Sequence, residues 1–207
     1  MNSGSALRIH QLGQHIHVLG PGTRFCIWTQ GCMQRCPGCL APEAQPLEGG
    51  YLISTEELAR NIIADNDLDG ITISGGEPFL QAEALIELLD MVHEKRNLGV
   101  ILYTGYLLED IQANVLPEAA DLLKRIDLLI DGPYIEALND NGALRGSSNQ
   151  RIFPLTDRYT TTLSQYGQQD QRRTELLTKE GNFFMAGVPS KATMKLIQRL
   201  SGRRNAE

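Results

Sequence analysis

Cys32, Cys36 and Cys39 stand in the run Gly31-Cys32-Met33-Gln34-Arg35-Cys36-Pro37-Gly38-Cys39, a CxxxCxxC spacing that lets one short loop fold three thiolates around a single centre. Thiolates select soft metals, and loops of this kind hold them without help from distant parts of the chain. All four cysteines of the 207 residues lie between positions 26 and 39, so no thiol is available outside this stretch. A soft metal site is the first expectation.

Other short runs offer complementary chemistry. Gly75 and Gly76, in Gly75-Gly76-Glu77-Pro78, lack side chains, so their backbone can approach a ligand closely and present carbonyls or amides to it. The competing reading is an ordinary strand-to-helix turn, in which Glu77 only caps the next helix. Thr104-Gly105-Tyr106 and Asp131-Gly132-Pro133 offer a hydroxyl and a carboxylate, with a turn-forming role as the alternative for Asp131. Gly20 to Arg24 and Gly146 to Gln150 read equally as rigid turns or as surfaces that meet a substrate. His15 and His17 alternate along a possible strand and share a face. Without a third ligand nearby they read as surface residues.

Alternating strands and helices must position these groups. Arg24 to Thr29 reads as a strand that delivers the chain to the cysteine loop, and Ser54, three residues before Glu57, signals the start of a helix carrying Leu58, Ile62 and Ile63. Strands follow at 70–74, 100–103 and 127–130. A helix runs over 82–94, and residues 107–124 are mostly helical with a break at Pro117. Each candidate run follows a strand, and in a parallel sheet with right-handed crossovers the carboxyl ends of the strands share one rim. Four such units are too few for a closed eight-stranded barrel, so an open, partial parallel β/α barrel is expected. Beyond residue 134 the pattern weakens. An ambiguous helical tendency covers 172–179, a last strand 182–186, and an amphipathic helix starts at Ser190 with Met194, Ile197 and Leu200.

Taken together, these runs resemble the radical S-adenosylmethionine superfamily, and most of all the small activating enzymes of anaerobic ribonucleotide reductases. The resemblance is carried by Gly20-Pro21-Gly22-Thr23-Arg24, the cysteine loop, Ser74-Gly75-Gly76-Glu77-Pro78, Thr104-Gly105-Tyr106, Leu129-Ile130-Asp131-Gly132 and Arg145 to Gln150, and covers roughly residues 8 to 152. It implies a core over 1–152 with a [4Fe-4S] loop at 26–39, and a C-terminal extension over 153–207 packed on the same domain. Cys32, Cys36 and Cys39 would hold the cluster and leave one iron open for S-adenosyl-L-methionine, with Gly75, Gly76, Glu77, Thr104 and Asp131 near that cofactor. One-electron cleavage would give a 5′-deoxyadenosyl radical that removes hydrogen, most naturally from a glycine of a partner glycyl-radical enzyme. A flavodoxin or ferredoxin would supply the electron. The resemblance also raises a monovalent cation site near the 103–104 strand end, where Tyr103 stands in place of a suitable aspartate.

The alternatives are a zinc site with Cys26 as fourth ligand, although only Cys36 and Cys39 form the close pair that zinc sites usually repeat, and Cys26 otherwise reads as a buried free thiol. At the level of function they are modification of a peptide, protein or small metabolite, and a non-enzymatic iron–sulfur redox or scaffold protein. A net charge of −6 argues against a nucleic-acid footprint. No charged leader, and no apolar run approaching roughly 18 residues, points to a membrane, so a cytoplasmic protein is expected.

Overall fold

The computed structural model describes residues 5–113, 116–166, 173–179, 182–190, 192–193 and 196. In chain order the elements are β1 (Ala6–Ile16), β2 (Arg24–Thr29), β3 (Tyr51–Ser54), α1 (Thr55–Ala64), β4 (Gly70–Gly75), α2 (Ala82–His93), β5 (Gly99–Tyr103), α3 (Leu108–Gln112), α4 (Ala119–Leu123), β6 (Leu128–Asp131), β7 (Arg151–Pro154), α5 (Thr160–Tyr166), β8 (Thr174–Lys179) and β9 (Asn182–Gly187). Seven strands form one open sheet in the order β3-β1-β2-β4-β5-β6-β7, and β8 pairs with β9 in a separate hairpin. The expected parallel strands β2, β4, β5 and β6 form the centre. Both margins are antiparallel, with β1 and β3 on one side and β7 on the other.

Side-chain alternation along these strands builds two faces. Phe25 and Ile27, Ile71 and Ile73, Val100 and Leu102, and Leu129 enter one core together with Leu58 and Ile62 of α1, Leu85, Leu88, Leu89 and Val92 of α2, and Leu122 of α4. Full burial of each such side chain stabilises the fold by about 1.5–3 kcal/mol, so the apolar periodicity fixes which side the helices cover. Ser54 opens α1, its Oγ accepting a hydrogen bond from Glu57 N at 3.1 Å.

The other face carries Arg24, Cys26, Thr72 and Ile101. Arg24 is fully buried. Its guanidinium donates to Thr72 Oγ1 (3.0 Å), Tyr159 Oη (2.7 Å) and the carbonyls of Ile71 and Gly99. Gly20 to Arg24 therefore works at the amino ends of the strands, one strand length from the cysteine loop that follows Thr29. That placement makes the segment a clamp between strands and not a lining of the candidate site.

Three expectations are corrected. Residues 174–179, given a helical tendency, form β8, because their partner is β9, with Leu177 opposite Phe184. His15 and His17 do not share a strand face: β1 ends at Ile16 and His15 has φ 54°. Their rings meet Asp65 (2.9 Å) and Glu175 (3.3 Å) respectively. The strand expected at 127–130 is displaced by one residue, with Asp131 as the last residue of β6. The helix expected from Ser190 falls mainly outside the described residues, as do Met194, Ile197 and Leu200. No helix among the described residues is long and apolar enough to cross a membrane.

Candidate active site

Cys32, Cys36 and Cys39 line one cavity of ≈ 220 Å³ at the carboxyl ends of the parallel strands, facing Gly75, Gly76, Glu77 and Thr104. The cysteine loop is held there by backbone bonds on two sides. Gly31 N donates to Ala44 O (2.8 Å) and Cys32 N to Gln45 O (2.9 Å), while Glu77 N donates to Gly31 O (2.7 Å) and Gly76 N to Thr29 O (2.8 Å). Gln30 adds a side-chain brace, its Nε2 donating to the carbonyls of Glu43 (3.1 Å) and Pro46 (2.7 Å). Gln81 Nε2 in turn donates to Gln30 O (3.1 Å) and Arg8 O (2.9 Å).

Gly75 and Gly76 serve the chain itself before any ligand. Gly75 has φ +110°, a region that favours glycine, and a Cβ on Gly76 would overlap Gly31 O and lie 2.8 Å from Ala44 O. The missing side chain of Gly76 thus admits the cysteine loop, and that of Gly75 admits the backbone of Trp28 and Thr29.

Glu77 is 1% exposed. Its carboxylate accepts from Thr104 Oγ1 (2.8 Å), Gly105 N (2.8 Å) and Phe79 N (3.1 Å). It ties the end of β4 to the end of β5 and caps the turn at Pro78–Gln81. Burial pushes the carboxyl from 4.5 up to about 7, against the opposing pull of those three hydrogen bonds. A carboxyl whose folded pKa exceeds its unfolded value keeps a proton that the unfolded chain has released, so its stabilising contribution is complete below the unfolded pKa and is lost as pH rises through the folded one. Metal-free protein titrated with urea is expected to lose about 3 kcal/mol from this group between about pH 4.5 and about pH 7.5. Glu77→Gln removes that part of the slope. An unchanged slope in the variant would assign it to other groups.

Asp131 does not join the cavity. As the last residue of β6 it shares a face with Leu129, which packs toward the helices. Its carboxylate accepts from Leu108 N (2.7 Å) and pairs with Arg151, which also binds Glu109. Gly132 lines the cavity in its place. From the Gly146 to Gln150 run, Gly146 and Gln150 reach the cavity wall, and the Gln150 amide clamps the neighbouring loop by donating to Gly132 O (2.9 Å) while accepting from Gly146 N (2.7 Å).

The donor set suits an iron–sulfur cluster. Burial raises the Cys32 and Cys36 thiols above their ordinary range, while hydrogen bonds from the backbone of Gln34 and Arg35 to Cys32, and of Tyr134 to Cys36, favour the thiolates. Loading a metal would therefore release protons from this loop. Cys26 lies elsewhere, 1% exposed among Ile16, Leu19 and Ala186. Burial pushes its thiol to about 12. Three soft donors thus share the cavity, and the fourth cysteine faces another environment.

Several cavity residues carry no signal in the sequence. Gln34 is an unassigned position between Cys32 and Cys36, Tyr134 follows Pro133 in a loop without a motif, and Met185, Val188 and Pro189 arrive from the C-terminal hairpin. Trp28 reads only as a strand residue, and Tyr103 as a strand residue standing where a cation site would want an aspartate; alternation along β2 and β5 would place both on the face away from the helices.

Residues 18–153 match the family model described as a 4Fe-4S single cluster domain. The chain is 34% identical over 158 residues to the anaerobic ribonucleoside-triphosphate reductase-activating protein of Salmonella typhimurium, covering 72% of this chain and 99% of that protein. The protein of the same name from Enterobacteria phage T4 is 32% identical over 146 residues, 68% of this chain and 89% of its own. The pyruvate formate-lyase-activating enzyme of Clostridium pasteurianum is 33% identical over 141 residues, 65% of this chain and 55% of its own length.

Proposed function

The chain belongs to the family of anaerobic ribonucleoside-triphosphate reductase-activating proteins, and from that premise we propose that it removes a hydrogen atom from a glycine of a partner glycyl-radical enzyme, the partner being an anaerobic ribonucleotide reductase. The observation that carries this reading is the grouping of three cysteine thiols, without the fourth, on a cavity that also receives the turns after β4 and β5. Three thiolates satisfy three corners of an iron–sulfur cube and leave one iron for a small chelating molecule. When bound, the reduced [4Fe-4S] cluster and S-adenosyl-L-methionine supply a 5′-deoxyadenosyl radical by one-electron cleavage of a carbon–sulfur bond, with methionine released.

The residues of the chain bind, orient and shield. Cys32, Cys36 and Cys39 would hold the cluster as thiolates. Gly75, Gly76, Glu77 and Thr104 form the adjoining wall, whose backbone groups would hold the amino-acid end of the cofactor, while Glu77 fixes Thr104 and Gly105 in place. Asp131 takes a positioning role, since Leu108 N and Arg151 occupy its carboxylate. The cavity walls keep water from a reactive radical. With cluster and cofactor bound, the chemistry supplied would be transfer of hydrogen from the glycine Cα, which would leave 5′-deoxyadenosine and a glycyl radical stabilised by its flanking amides. One electron is drawn per turnover from a flavodoxin or ferredoxin. Residues 1–152 form the catalytic core in this reading, 153–207 are its extension, and the protein works in the cytoplasm.

The test is anaerobic reconstitution with iron and sulfide, followed by dithionite, S-adenosylmethionine and the reductase from the same organism. A glycyl-radical signal in electron paramagnetic resonance, accompanied by 5′-deoxyadenosine, is expected. A fully loaded, reducible cluster that yields neither would overturn the assignment.

A further inference from the structure

The β8–β9 hairpin lies beyond residues 18–153, the part matched by the family model, yet it supplies one side of the cavity. It packs on the sheet face away from α1, α2 and α4. Ala186 is fully buried with Ile16, Leu19 and Cys26. Phe184 meets Trp28 edge-on, with ring centroids 6.1 Å apart. Glu175 of β8 accepts from His17 N at 3.2 Å and pairs with the His17 ring. From this anchored base, β9 and the residues after it bring Met185, Val188 and Pro189 to the cavity, beside Leu19, Trp28 and Tyr103.

The cavity is therefore divided by chemistry. Thiols, glycine backbone and a buried carboxylate stand on one side, and a largely apolar wall on the other. The reacting glycine has no side chain, so a protein substrate can be distinguished only through the residues that flank it. A wall with apolar side chains and few polar groups favours apolar flanking residues, because a polar side chain placed there would lose its hydration without a partner.

Resting on the function proposed above, we infer that Met185, Val188 and Pro189 select the partner by packing against apolar side chains beside the reacting glycine of its loop. The hairpin sets which protein is accepted, and the cysteine side sets the reaction.

The test measures binding of metal-free protein to the reductase by isothermal titration, and then, after reconstitution, glycyl radical formed per 5′-deoxyadenosine. Met185→Ala combined with Val188→Ala is expected to weaken binding roughly tenfold and to lower the ratio of radical to deoxyadenosine. Met185→Leu restores apolar bulk and binds like the parent protein. Leu176→Ala alters a side chain that is 71% exposed and outside the cavity, and leaves binding unchanged. Wild-type binding and radical formation that survive undiminished in the double variant would overturn the hairpin's role while leaving the proposed function intact. A wild-type protein that neither binds the reductase nor forms the radical would overturn both. A double variant that melts early is judged by single Val188→Ala and Met185→Leu proteins: loss in the former with retention in the latter supports the wall, and equal behaviour refutes it.

Discussion

Cys36→Ala, reconstituted anaerobically with iron and sulfide, is expected to lose the iron–sulfur absorbance and to form no 5′-deoxyadenosine above an enzyme-free control. The cavity holds three thiols, and a cube with one open iron needs all of them. Two remaining thiolates would leave a second iron without a protein ligand. Cys26 offers no replacement, because its thiol is buried beside Thr72 and held near 12, where the thiolate is scarcely populated at neutral pH. Cys26→Ala should accordingly retain both iron and product. The opposite pattern, with iron lost on removing Cys26 and kept on removing Cys36, would mean a different ligand set and favour a redox carrier. Cys36 is only half-buried, so the metal-free Cys36→Ala protein should melt close to the parent, separating loss of ligation from loss of fold.

Gly76→Ala is expected to cost about 3 kcal/mol in urea unfolding of the metal-free protein and to lower iron loading sharply. The new methyl group would overlap Gly31 O and lie 2.8 Å from Ala44 O, and both neighbours are backbone. Relief requires the cysteine loop to move away from β4, which breaks the bonds from Glu77 N to Gly31 O and from Gly76 N to Thr29 O. Gly105→Ala is the contrasting variant. Its methyl group would meet Gln34 Cγ at 2.8 Å, and a flexible side chain can turn aside, so its cost should stay below about 1 kcal/mol. Equal effects of the two changes would show that crowding against the cysteine loop is not what Gly76 prevents.

The parallel centre of the sheet is readable before folding because each βα unit announces itself locally. Ile71 and Ile73 alternate toward the helices, Leu85, Leu88, Leu89 and Val92 repeat at helical spacing, and Ser54 caps its own helix. The margins of the sheet are less readable. β7 spans Arg151–Pro154 and crosses the boundary drawn at residue 152, because its partner is β6 and pairing between distant segments leaves no periodic trace. β8 looks helical for the same reason: a six-residue segment takes its conformation from β9 and from the apolar face beneath it.

The sequence by itself determined which groups could act as soft ligands and which turns would stand at strand ends, since ligation and turn geometry operate over a few neighbouring residues. Only the tertiary structure decided where their side chains point. Glu77 meets Thr104, 27 residues away, and Asp131 faces Arg151 and not the cavity, because β6 continues through it and alternation puts its side chain on the face of Leu129. The tertiary structure likewise decided that the apolar wall comes from β9 and the two residues beyond it, anchored through a contact between His17 and Glu175 separated by 158 positions. Such contacts form only when burial of distant apolar surface brings the segments together, and no local pattern of residues encodes that meeting.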